Sequence, residues 1–403
     1  MKYVIILSDG MAGRPLEKLG GRTTLEAAHT PFMDSLAPVS ELGMASMVPE
    51  GMAPGSDTAN LSVMGYDPRV YYTGRSPLEA LSIGVDMEDT DVSFRCNLVS
   101  LSEEDSAYEE QTILDHSSDE IDTVDAAVLI EALKEGIGAE GYGFYVGTSY
   151  RHLLIQKNGR TAELTPPHDI LTQRIGAYLP EDRILRDMME RSYEILKSHP
   201  LNEARRKKGL KPANSAWFWG AGKKPALTSF EERTGKKGVM ISAVDLLKGI
   251  AVGAGMDRIF VEGANGGLHT NYEGKAKAAV DALTKDGYDF AYIHVEAPDE
   301  MGHQGKTEDK VTAIENVDEK VLGTVVRGLE ESGEDFRLLL LPDHPTPIEV
   351  RTHTGEPVPY LLYDSTKSIK GAEEYSEKTA ALTGRYYQDG YRLMEHLLQE
   401  GLC

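Results

Sequence analysis

The sequence is poor in cysteine, has no long apolar stretch, and carries far fewer basic than acidic residues. Its two cysteines, Cys96 and Cys403, are too few for a disulfide framework and favour a reducing compartment. No apolar run approaches the roughly 20 residues that a membrane-spanning helix needs. The N-terminal apolar segment turns polar at Ser8, too early for a signal peptide. These features predict a cytoplasmic protein without a membrane partner.

The deficit of positive charge restricts the partners of the chain. There are 42 lysines and arginines against 65 aspartates and glutamates, and the formal net charge is −23. This balance argues against nucleic acid or an anionic membrane as a partner. It does not argue against a small anionic substrate, because bound metal ions supply local positive charge. The 403 residues are enough for one large or two ordinary domains, and they carry no signal of oligomeric state.

Two strings in the last third of the chain place an aspartate and a histidine just past an apolar run. The first, Ala-Pro-Asp-Glu-Met-Gly-His, contains Asp299 and His303; the second, Leu-Leu-Leu-Leu-Pro-Asp-His, ends in Asp343 and His344. A further histidine, His353, follows the second string. Each string alone is typical of an ordinary strand exit. Carboxylate and imidazole groups together, however, suit Mn, Zn, Co or Mg, so the strings together indicate a metal site.

The N-terminal part of the chain contains two more candidates for this site. Asp9 follows the β-branched apolar run at 3–7, which favours a buried parallel strand. It either forms an Asp-Gly turn or presents a carboxylate at the edge of a sheet, where open α/β folds bind ligands. Ser56 follows Pro-Gly, where Ser56 or Asp57 would cap a helix. A serine there also faces ligands, and a metal ion would make it a nucleophile.

The pattern of apolar runs predicts an α/β fold with a mostly parallel sheet covered by helices on both faces. The predicted strands are 3–7, 238–242, 258–262, 288–295 and 337–341, and the predicted helices are 243–253, 274–285, 308–331 and 379–399. Every candidate ligand lies at the carboxyl end of a strand or the amino end of a helix. This common position supports one shared site.

The middle of the chain differs from the rest. Residues 88–212 are rich in charge and contain no Asp/His pair after an apolar strand. We therefore predict a discontinuous core domain at 1–87 and 213–403, with a smaller α+β domain inserted at 88–212.

Taken together, these strings resemble the alkaline phosphatase superfamily and, within it, the archaeal-type cofactor-independent phosphoglycerate mutases and their bacterial relatives. The resemblance extends over nearly the whole chain and rests on several strings in matching order. They are Ser-Asp-Gly-Met-Ala, Pro-Gly-Ser-Asp-Thr-Ala-Asn, Gly-Tyr-Asp-Pro-Arg-Val-Tyr-Tyr-Thr-Gly-Arg, Phe-Arg-Cys-Asn, Ala-Asn-Ser-Ala-Trp-Phe-Trp-Gly, Thr-Asn-Tyr-Glu-Gly-Lys, Pro-Asp-Glu-Met-Gly-His and Pro-Asp-His-Pro-Thr-Pro. The resemblance implies an alkaline phosphatase-like sheet and a small phosphorylated substrate.

The resemblance also implies two divalent metal ions (Mn, Mg, Co or Zn), no bisphosphoglycerate, and a division of the ligands between the ions. One ion would be held by Asp9, Ser56, Asp343 and His344, and the other by Asp299, His303 and His353. Ser56 would be the nucleophile and become a phosphoserine. The inserted domain would bind the non-phosphate part of the substrate.

Three residues of the predicted inserted domain are candidates for contacting the substrate. Arg151 has a guanidinium that matches a carboxylate through two hydrogen bonds, although a surface ion pair is the alternative. His152 is adjacent to it. His116, in Leu-Asp-His-Ser-Ser, would transfer a proton between glycerate hydroxyls, or it is an ordinary loop residue. The remaining histidines at 168, 269 and 294 are expected to be core or surface residues.

The leading hypothesis for function is interconversion of 3-phosphoglycerate and 2-phosphoglycerate through phosphoserine. Some strings around Ser56 and His116 are closer to a bacterial branch of the family proposed to phosphorylate homoserine, so a homoserine kinase-like activity is the main alternative. No Walker-type loop is present. A phosphomonoesterase and a binding protein on an inactive phosphatase fold are further alternatives. In a binding protein of that kind we would expect Ser56 or several of the candidate ligands to be missing from the sequence, and all of them are present.

Overall fold

The computed structural model describes residues 1–104 and 106–399, so Cys403 lies outside the described residues. The chain forms two compact units. Unit 1 consists of Met1–Tyr72 together with the described residues from Ala226 onwards, and unit 2 is the segment Thr73–Pro225. Within the described residues, no helix is long and apolar enough to cross a membrane.

The strands, numbered in chain order, belong to two separate sheets. They are β1 Lys2–Ser8, β2 Glu41–Ala45, β3 Val92–Leu101, β4 Ile113–Asp115, β5 Tyr142–Thr148, β6 Arg151–Gln156, β7 Ser215–Lys223, β8 Gly238–Ile241, β9 Asp257–Arg258, β10 Phe290–Val295, β11 Phe336–Leu341, β12 Val358–Asp364 and β13 Tyr386–Tyr387.

The α-helices are numbered in the same way. They are α1 Thr24–Ala27, α2 Pro31–Leu36, α3 Ser56–Val63, α4 Pro68–Tyr71, α5 Arg75–Ser82, α6 Thr123–Ile137, α7 Arg183–Leu196, α8 Pro200–Lys207, α9 Phe230–Thr234, α10 Asp245–Gly253, α11 Tyr272–Thr284, α12 Ala297–His303, α13 Thr307–Asn316, α14 Gly323–Ser332, α15 Glu377–Leu382 and α16 Arg392–Leu398. A π-helical segment, Val317–Leu322, joins α13 to α14.

Unit 1 is built on an eight-stranded sheet in the order β13-β2-β12-β11-β1-β10-β8-β9. The pairs β1–β10, β1–β11, β10–β8, β8–β9 and β13–β2 are parallel, and only β12 pairs antiparallel with its neighbours β11 and β2. This confirms the predicted mostly parallel sheet. Because β1, β10 and β11 are adjacent and parallel, their carboxyl ends meet at one edge of the sheet.

The central strand β1 is apolar on both faces. Val4 and Ile6 belong to a core cluster with residues of α11, α13 and α14, while Ile5 and Leu7 on the opposite face are also fully buried. A strand buried on both faces reads as a continuous rather than an alternating apolar run. This is why residues 3–7 predict a buried parallel strand from sequence.

Unit 2 is an antiparallel sheet with its own core. Strands β4, β6 and β7 all pair with β3, and β5 pairs with β6. Apolar residues of the sheet pack against α6 and α7, including Phe94, Leu98, Leu129 and Leu133. Unit 2 is therefore an antiparallel α+β unit.

The extent of unit 2 differs from the predicted 88–212 at both ends. Strand β7 pairs with β3 from Val92 to Val99. Helix α5 is joined to β3 through Ser76 Oγ, which lies 2.7 Å from Ser93 Oγ. Residues 73–87 and 213–225, predicted to belong to the core domain, therefore lie in unit 2 because of these long-range pairings.

Two predicted elements of unit 1 are wrong in extent. The predicted helix 379–399 is two short helices, α15 and α16, separated by β13. Gly384 ends the helical region with a φ of +72°, and Tyr386 then pairs with Met44 of β2. The predicted strand 258–262 is reduced to the two residues of β9, at the edge of the sheet.

Candidate active site

Asp9 lies at the centre of the carboxyl edge of the sheet in unit 1. It follows β1, which is flanked by the parallel strands β10 and β11, and it is 2% exposed. Its Oδ2 is 2.8 Å from His294 Nε2. Its Oδ1 is buried and has no hydrogen-bond partner among the described residues. A buried carboxylate oxygen without a partner is a natural position for a cation.

Gly10 brings the loops after β1, β10 and β11 into contact. Its φ is +61°, and a Cβ there would lie 2.7 Å from Asp299 Cα and 2.6 Å from Thr346 Oγ1. Its N–H donates to Asp343 Oδ1 over 3.2 Å. The Asp-Gly turn is therefore part of the shared site and has no room for a side chain.

Asp343 and His344 follow β11 and are each 1% exposed. The His344 ring points between the carboxylates: its Nε2 is 3.3 Å from Asp343 Oδ2 and 3.7 Å from Asp9 Oδ1. The same nitrogen is 3.0 Å from Ser56 Oγ. One imidazole thus contacts residues that the sequence places on three different segments.

Asp299 and His303 lie one turn apart on α12, which follows β10. His303 Nε2 is 3.2 Å from Asp299 Oδ2, and His353 Nε2 is 3.5 Å from Asp299 Oδ1. The two imidazoles meet with their Nε2 atoms 2.9 Å apart. Thr346 Oγ1 donates to Asp299 Oδ1. These three predicted ligands form the second half of the site.

The two halves of the site share His344. Ligand atoms of Asp9, Asp343 and His344 all lie within 4.8 Å of one another, as do those of Asp299, His344 and His353. The centroids of the His344 and His353 rings are 4.0 Å apart, and the ring planes are inclined at 33° to each other. The resemblance assigned His344 to the ion beside Asp9; in this arrangement it is within reach of both groups.

Ser56 is the first residue of α3 and does not cap it. Gly55 is the N-cap, and no side chain makes a capping hydrogen bond there. The serine hydroxyl is therefore available to the site, where it contacts His344. Neither Ser56 nor Asp57 occupies the N-cap position, although Asp57 Oδ1 accepts from the Thr58 N–H at 2.9 Å in the first turn of the helix.

Asn60, one turn after Ser56 on α3, is a site residue that the sequence analysis missed. Its Nδ2 donates to Ser56 O and to Asp343 Oδ2, each over 2.8 Å, and its Oδ1 accepts from Tyr292 Oη at 2.6 Å. The spacing of four residues from Ser56 puts both on one helix face, which is the signal that could have identified it.

The charges of the buried groups are strongly coupled. Burial raises the pKa of Asp9 well above its usual range, and the Asp343 and Asp299 carboxylates raise it further. Burial would also raise the pKa of Asp299, but hydrogen bonds from His303 and His353 hold it well below its usual range. The hydrogen bond to Asp299 raises the pKa of His303 to about 9. Such a concentration of buried carboxylate charge favours a bound cation.

The donor set fits divalent metal ions. Three buried carboxylates, three imidazoles and a hydroxyl converge, and Asp9 Oδ1 lacks a partner. Mixed oxygen and nitrogen ligands suit Mn, Zn, Co or Mg.

Two buried residues behind the site were not identified from sequence. His294, predicted as a core or surface histidine, is fully buried in β10 and contacts Asp9. Lys310 on α13 donates to the carbonyls of Ala12 and Thr346 over 3.2 and 2.7 Å, and burial lowers its pKa to about 8. It thereby connects the loops after β1 and β11. Neither residue belongs to a string that reads as a ligand motif.

Unit 2 brings two of its three candidate residues together. The ring of His116 meets Tyr150 edge-on with centroids 5.7 Å apart, and the guanidinium of Arg151 lies 4.9 Å from the same ring. His152 is separate. It is 1% exposed, and its Nδ1 accepts from the Gly147 N–H at 3.1 Å. Successive residues of a strand face opposite sides of the sheet, so His152 does not share the side occupied by Arg151.

Additional cationic residues of unit 2 were missed. Arg95 is buried on β3, with its guanidinium 4.3 Å from the Trp219 ring and Nε 3.0 Å from Glu79 Oε2. His168 meets Trp219 at 5.2 Å and His116 at 6.1 Å between ring centroids. The Trp219 ring is thus in contact with the guanidinium of Arg95 and the imidazole of His168, and burial lowers the pKa of His168.

Comparison with known proteins identifies relatives over the full length. A family model described as 2,3-bisphosphoglycerate-independent phosphoglycerate mutase matches residues 37–202. A probable 2,3-bisphosphoglycerate-independent phosphoglycerate mutase of Geobacter sulfurreducens is 47% identical, covering 99% of this chain and 100% of the relative. A 2,3-bisphosphoglycerate-independent phosphoglycerate mutase of Methanothrix thermoacetophila is also 47% identical, with the same coverage.

Solved structures agree with these relatives. A protein from Pyrococcus horikoshii has a TM-score of 0.82 at 30% identity, covering 100% of this chain and 99% of its own. A cofactor-independent phosphoglycerate mutase from Thermoplasma acidophilum has a TM-score of 0.65 at 27% identity, with 99% of both chains covered.

Proposed function

The chain belongs to the family of 2,3-bisphosphoglycerate-independent phosphoglycerate mutases, and we propose that it interconverts 3-phosphoglycerate and 2-phosphoglycerate through a phosphoserine at Ser56. The observation that carries this proposal is the position of the Ser56 hydroxyl. It begins α3 without capping it and lies 3.0 Å from His344 Nε2, beside buried carboxylates. We place the reaction in the cytoplasm, in keeping with the scarcity of cysteine.

We assign two divalent metal ions to the site. Asp9, Ser56, Asp343 and His344 would hold one, and Asp299, His303 and His353 the other, with His344 close to both sets. When bound, such ions lower the pKa of a serine hydroxyl and neutralise charge on a phosphoryl group. No bisphosphoglycerate is required, because the phosphoryl group is stored on the enzyme.

The chain's own residues account for the transfer. The Ser56 oxygen gives up its proton and forms a bond to phosphorus while the bond from phosphorus to the glycerate oxygen breaks, and that oxygen takes up a proton as it leaves. The glycerate reorients, and its other hydroxyl gives up its proton and attacks the phosphorus of the phosphoserine. The bond from phosphorus to the Ser56 oxygen then breaks, and Ser56 takes up a proton, so that no net proton is gained or lost. Helix α3 begins at Ser56, so a phosphoryl group carried by Ser56 would lie at the amino end of a helix, where an anion is favoured.

Unit 2 supplies candidates for binding the glycerate part. His116 is our candidate for carrying the proton between the two glycerate oxygens, and Arg151 for pairing with the carboxylate. Arg95 and His168, which both contact Trp219, are further candidates for this region. His152 remains a candidate from sequence, although its burial favours a role in supporting the strand on which Arg151 lies.

The proposal is tested by a direct assay. Metal-loaded protein is incubated with 3-phosphoglycerate, without ATP or bisphosphoglycerate, and 2-phosphoglycerate is followed. We expect product to form at a rate typical of an enzyme, and no release of free phosphate. No product, together with ATP-dependent phosphorylation of homoserine in a parallel reaction, would overturn it. Release of free phosphate instead of 2-phosphoglycerate would indicate a phosphomonoesterase.

The covalent step needs a variant with a matched control. Ser56→Ala removes the nucleophile and is expected to abolish turnover while metal binding persists through the remaining ligands. Ser62→Ala makes the same change at a buried position of the same helix, and we expect it to retain activity. Turnover in Ser56→Ala, or absence of a phosphorylated peptide containing Ser56 after quenching, would contradict the phosphoserine mechanism.

A further inference from the structure

A buried chain of hydrogen bonds runs from the start of α10 to Asp9. The Val244 N–H donates to Ser242 Oγ over 3.0 Å. Ser242 Oγ lies 3.1 Å from His294 Nδ1, and His294 Nε2 lies 2.8 Å from Asp9 Oδ2. His294 is 0% exposed and Ser242 is 9% exposed. The three side chains come from the ends of the adjacent parallel strands β8, β10 and β1.

The direction of each hydrogen bond follows from its neighbours. Ser242 Oγ already accepts the Val244 N–H, so its own proton is free to be donated to His294 Nδ1. A neutral imidazole that accepts at Nδ1 carries its proton on Nε2, and this N–H then donates to Asp9 Oδ2. As a metal ligand Asp9 is a carboxylate and only accepts hydrogen bonds, so the tautomer with its proton on Nε2 is the one that fits this contact. All polar atoms of Ser242 and His294 are thereby satisfied.

This arrangement distinguishes the two oxygens of Asp9. Oδ2 is occupied by His294, while the buried Oδ1 has no hydrogen bond from the part of the chain that the structure describes and lies 3.7 Å from His344 Nε2. Oδ1 is thus the oxygen that faces the other proposed ligands. A carboxylate held at one oxygen cannot rotate freely, so it presents the other oxygen in a fixed direction.

We propose that His294 is a positioning residue: it holds Asp9 so that Oδ1 alone is offered to a divalent cation, and Ser242 fixes the tautomer that makes this possible. The inference rests on the proposed role of Asp9 as a metal ligand. The array contains a serine, a histidine and an aspartate, but the imidazole is completely buried and out of reach of a substrate. Its effect is on the orientation of Asp9.

The two nitrogens of the imidazole can be tested separately. In His294→Gln the amide nitrogen reaches the position of Nε2 and can still donate to Asp9, whereas in His294→Asn it reaches the position of Nδ1 and cannot. Metal-depleted proteins are titrated with Mn²⁺ by calorimetry. We expect His294→Asn to bind the cation about 10- to 100-fold more weakly than the wild type. His294→Gln should lose less than about fivefold, and Ser242→Ala should fall between them.

Thermal unfolding without metal shows whether the effect is only structural. The inference would be overturned if His294→Gln and His294→Asn lost Mn²⁺ affinity to the same extent and their melting temperatures without metal also fell to the same extent. Wild-type affinity in both His294→Asn and Ser242→Ala would also overturn it. Should His294→Asn not fold, Ser242→Ala with an intact imidazole still provides the test, because only the donor to Nδ1 is removed.

A control at Asp9 separates this inference from the proposed function. Asp9→Asn replaces the ligand oxygen and should weaken Mn²⁺ binding by more than any His294 variant. Wild-type affinity in Asp9→Asn would show that Asp9 is no ligand and would remove the proposed metal site itself. A strong effect of Asp9→Asn with none of His294→Asn would remove only the positioning role.

Discussion

Asn60 and Asp343 are joined by a hydrogen bond of 2.8 Å that connects the helix of the candidate nucleophile to a loop of the metal site. The same amide nitrogen donates to Ser56 O, and the amide oxygen accepts from Tyr292 Oη. The amide nitrogen and the amide oxygen of Asn60 are therefore both used to fix the position of Ser56 relative to Asp343.

Replacing Asn60 tests this connection. Asn60→Ala removes three hydrogen bonds and leaves the buried Tyr292 hydroxyl without its acceptor, which should cost about 2–4 kcal/mol of unfolding free energy. Turnover should fall by at least tenfold, since Ser56 is no longer held. Tyr292→Phe removes one of the bonds and should cost about 1–2 kcal/mol, with a smaller effect on turnover. Urea unfolding and the mutase assay measure both; an unaffected turnover in Asn60→Ala would contradict the role in alignment.

Gly10 should tolerate no side chain. Gly10→Ala places a Cβ 2.6–2.7 Å from Asp299 and Thr346 in a backbone with φ +61°. We expect a loss of about 2–4 kcal/mol and of metal affinity, because the left-handed backbone and the overlap both contribute. Gly20 is the matched control, with φ +68° and open space around the position of Cβ. Gly20→Ala should cost only about 1 kcal/mol, and equal effects at both positions would show that overlap is unimportant.

Unit 2 should lose stability in acid through Asp115, which is adjacent to His116. Burial raises the pKa of Asp115, but hydrogen bonds from Lys211 Nζ at 2.6 Å and from Ser117 outweigh it and hold the pKa below the usual 3.8. A depressed carboxyl pKa contributes stability that is fully present above 3.8 and is lost as the pH falls below it.

The variant Asp115→Asn tests whether this contribution to stability is lost in acid. The variant should be less stable than the wild type near pH 7, and the difference should shrink as the pH falls from about 5 towards 2. The readout is the urea midpoint of unfolding of unit 2, followed by the fluorescence of Trp217 and Trp219. Lys134→Met, which removes an exposed ion pair with Glu131, should produce no such dependence on pH. If the difference in stability between Asp115→Asn and the wild type stayed constant over the whole pH range, Asp115 would not be the source of the loss of stability in acid.

Metal removal and Asp9→Asn should have opposite effects on stability. In the metal-depleted protein, Asp9→Asn removes one of three mutually repelling buried carboxylates and should raise the melting temperature. In the wild type, Mn²⁺ at 100 times its dissociation constant should add about 2.7 kcal/mol per site. Asp9→Asn should gain much less. Calorimetry gives the melting temperatures of the wild type and of Asp9→Asn, each with EDTA and with Mn²⁺. If Asp9→Asn were less stable in EDTA than the wild type, repulsion among the three carboxylates would not be what limits stability there.

The sequence was sufficient to predict that the loops of the candidate ligands lie together, for a simple physical reason. Asp9, Asp299 and Asp343 each follow an apolar run, and the ends of parallel strands meet at one edge of a sheet. The division of these ligands between two ions came from the resemblance to the family and stays a prediction. The mostly parallel sheet, the strands at 3–7 and 337–341 and the existence of a second unit also followed from patterns of this kind.

What the sequence did not reveal depends on long-range pairing. His294 contacts Asp9 only because β10 lies beside β1, and no local pattern distinguishes it from a core histidine. Residues 213–225 belong to unit 2 only because β7 pairs with β3. Residues 379–399 have a helical composition, but Gly384 ends the first helix and Tyr386 pairs with β2, so the segment does not form one helix.

The central position of β1 has a consequence for the order in which the chain is made. Both neighbours of β1 are encoded far downstream, at Phe290–Val295 and Phe336–Leu341, after the whole of unit 2. At about 5–20 residues per second, ribosomal synthesis separates β1 from its first neighbour by tens of seconds. Unit 2 is continuous and has all its strands during that interval, whereas β1 is an apolar strand with both edges unpaired. The strand that precedes Asp9 is therefore a segment of the nascent chain that needs protection from association.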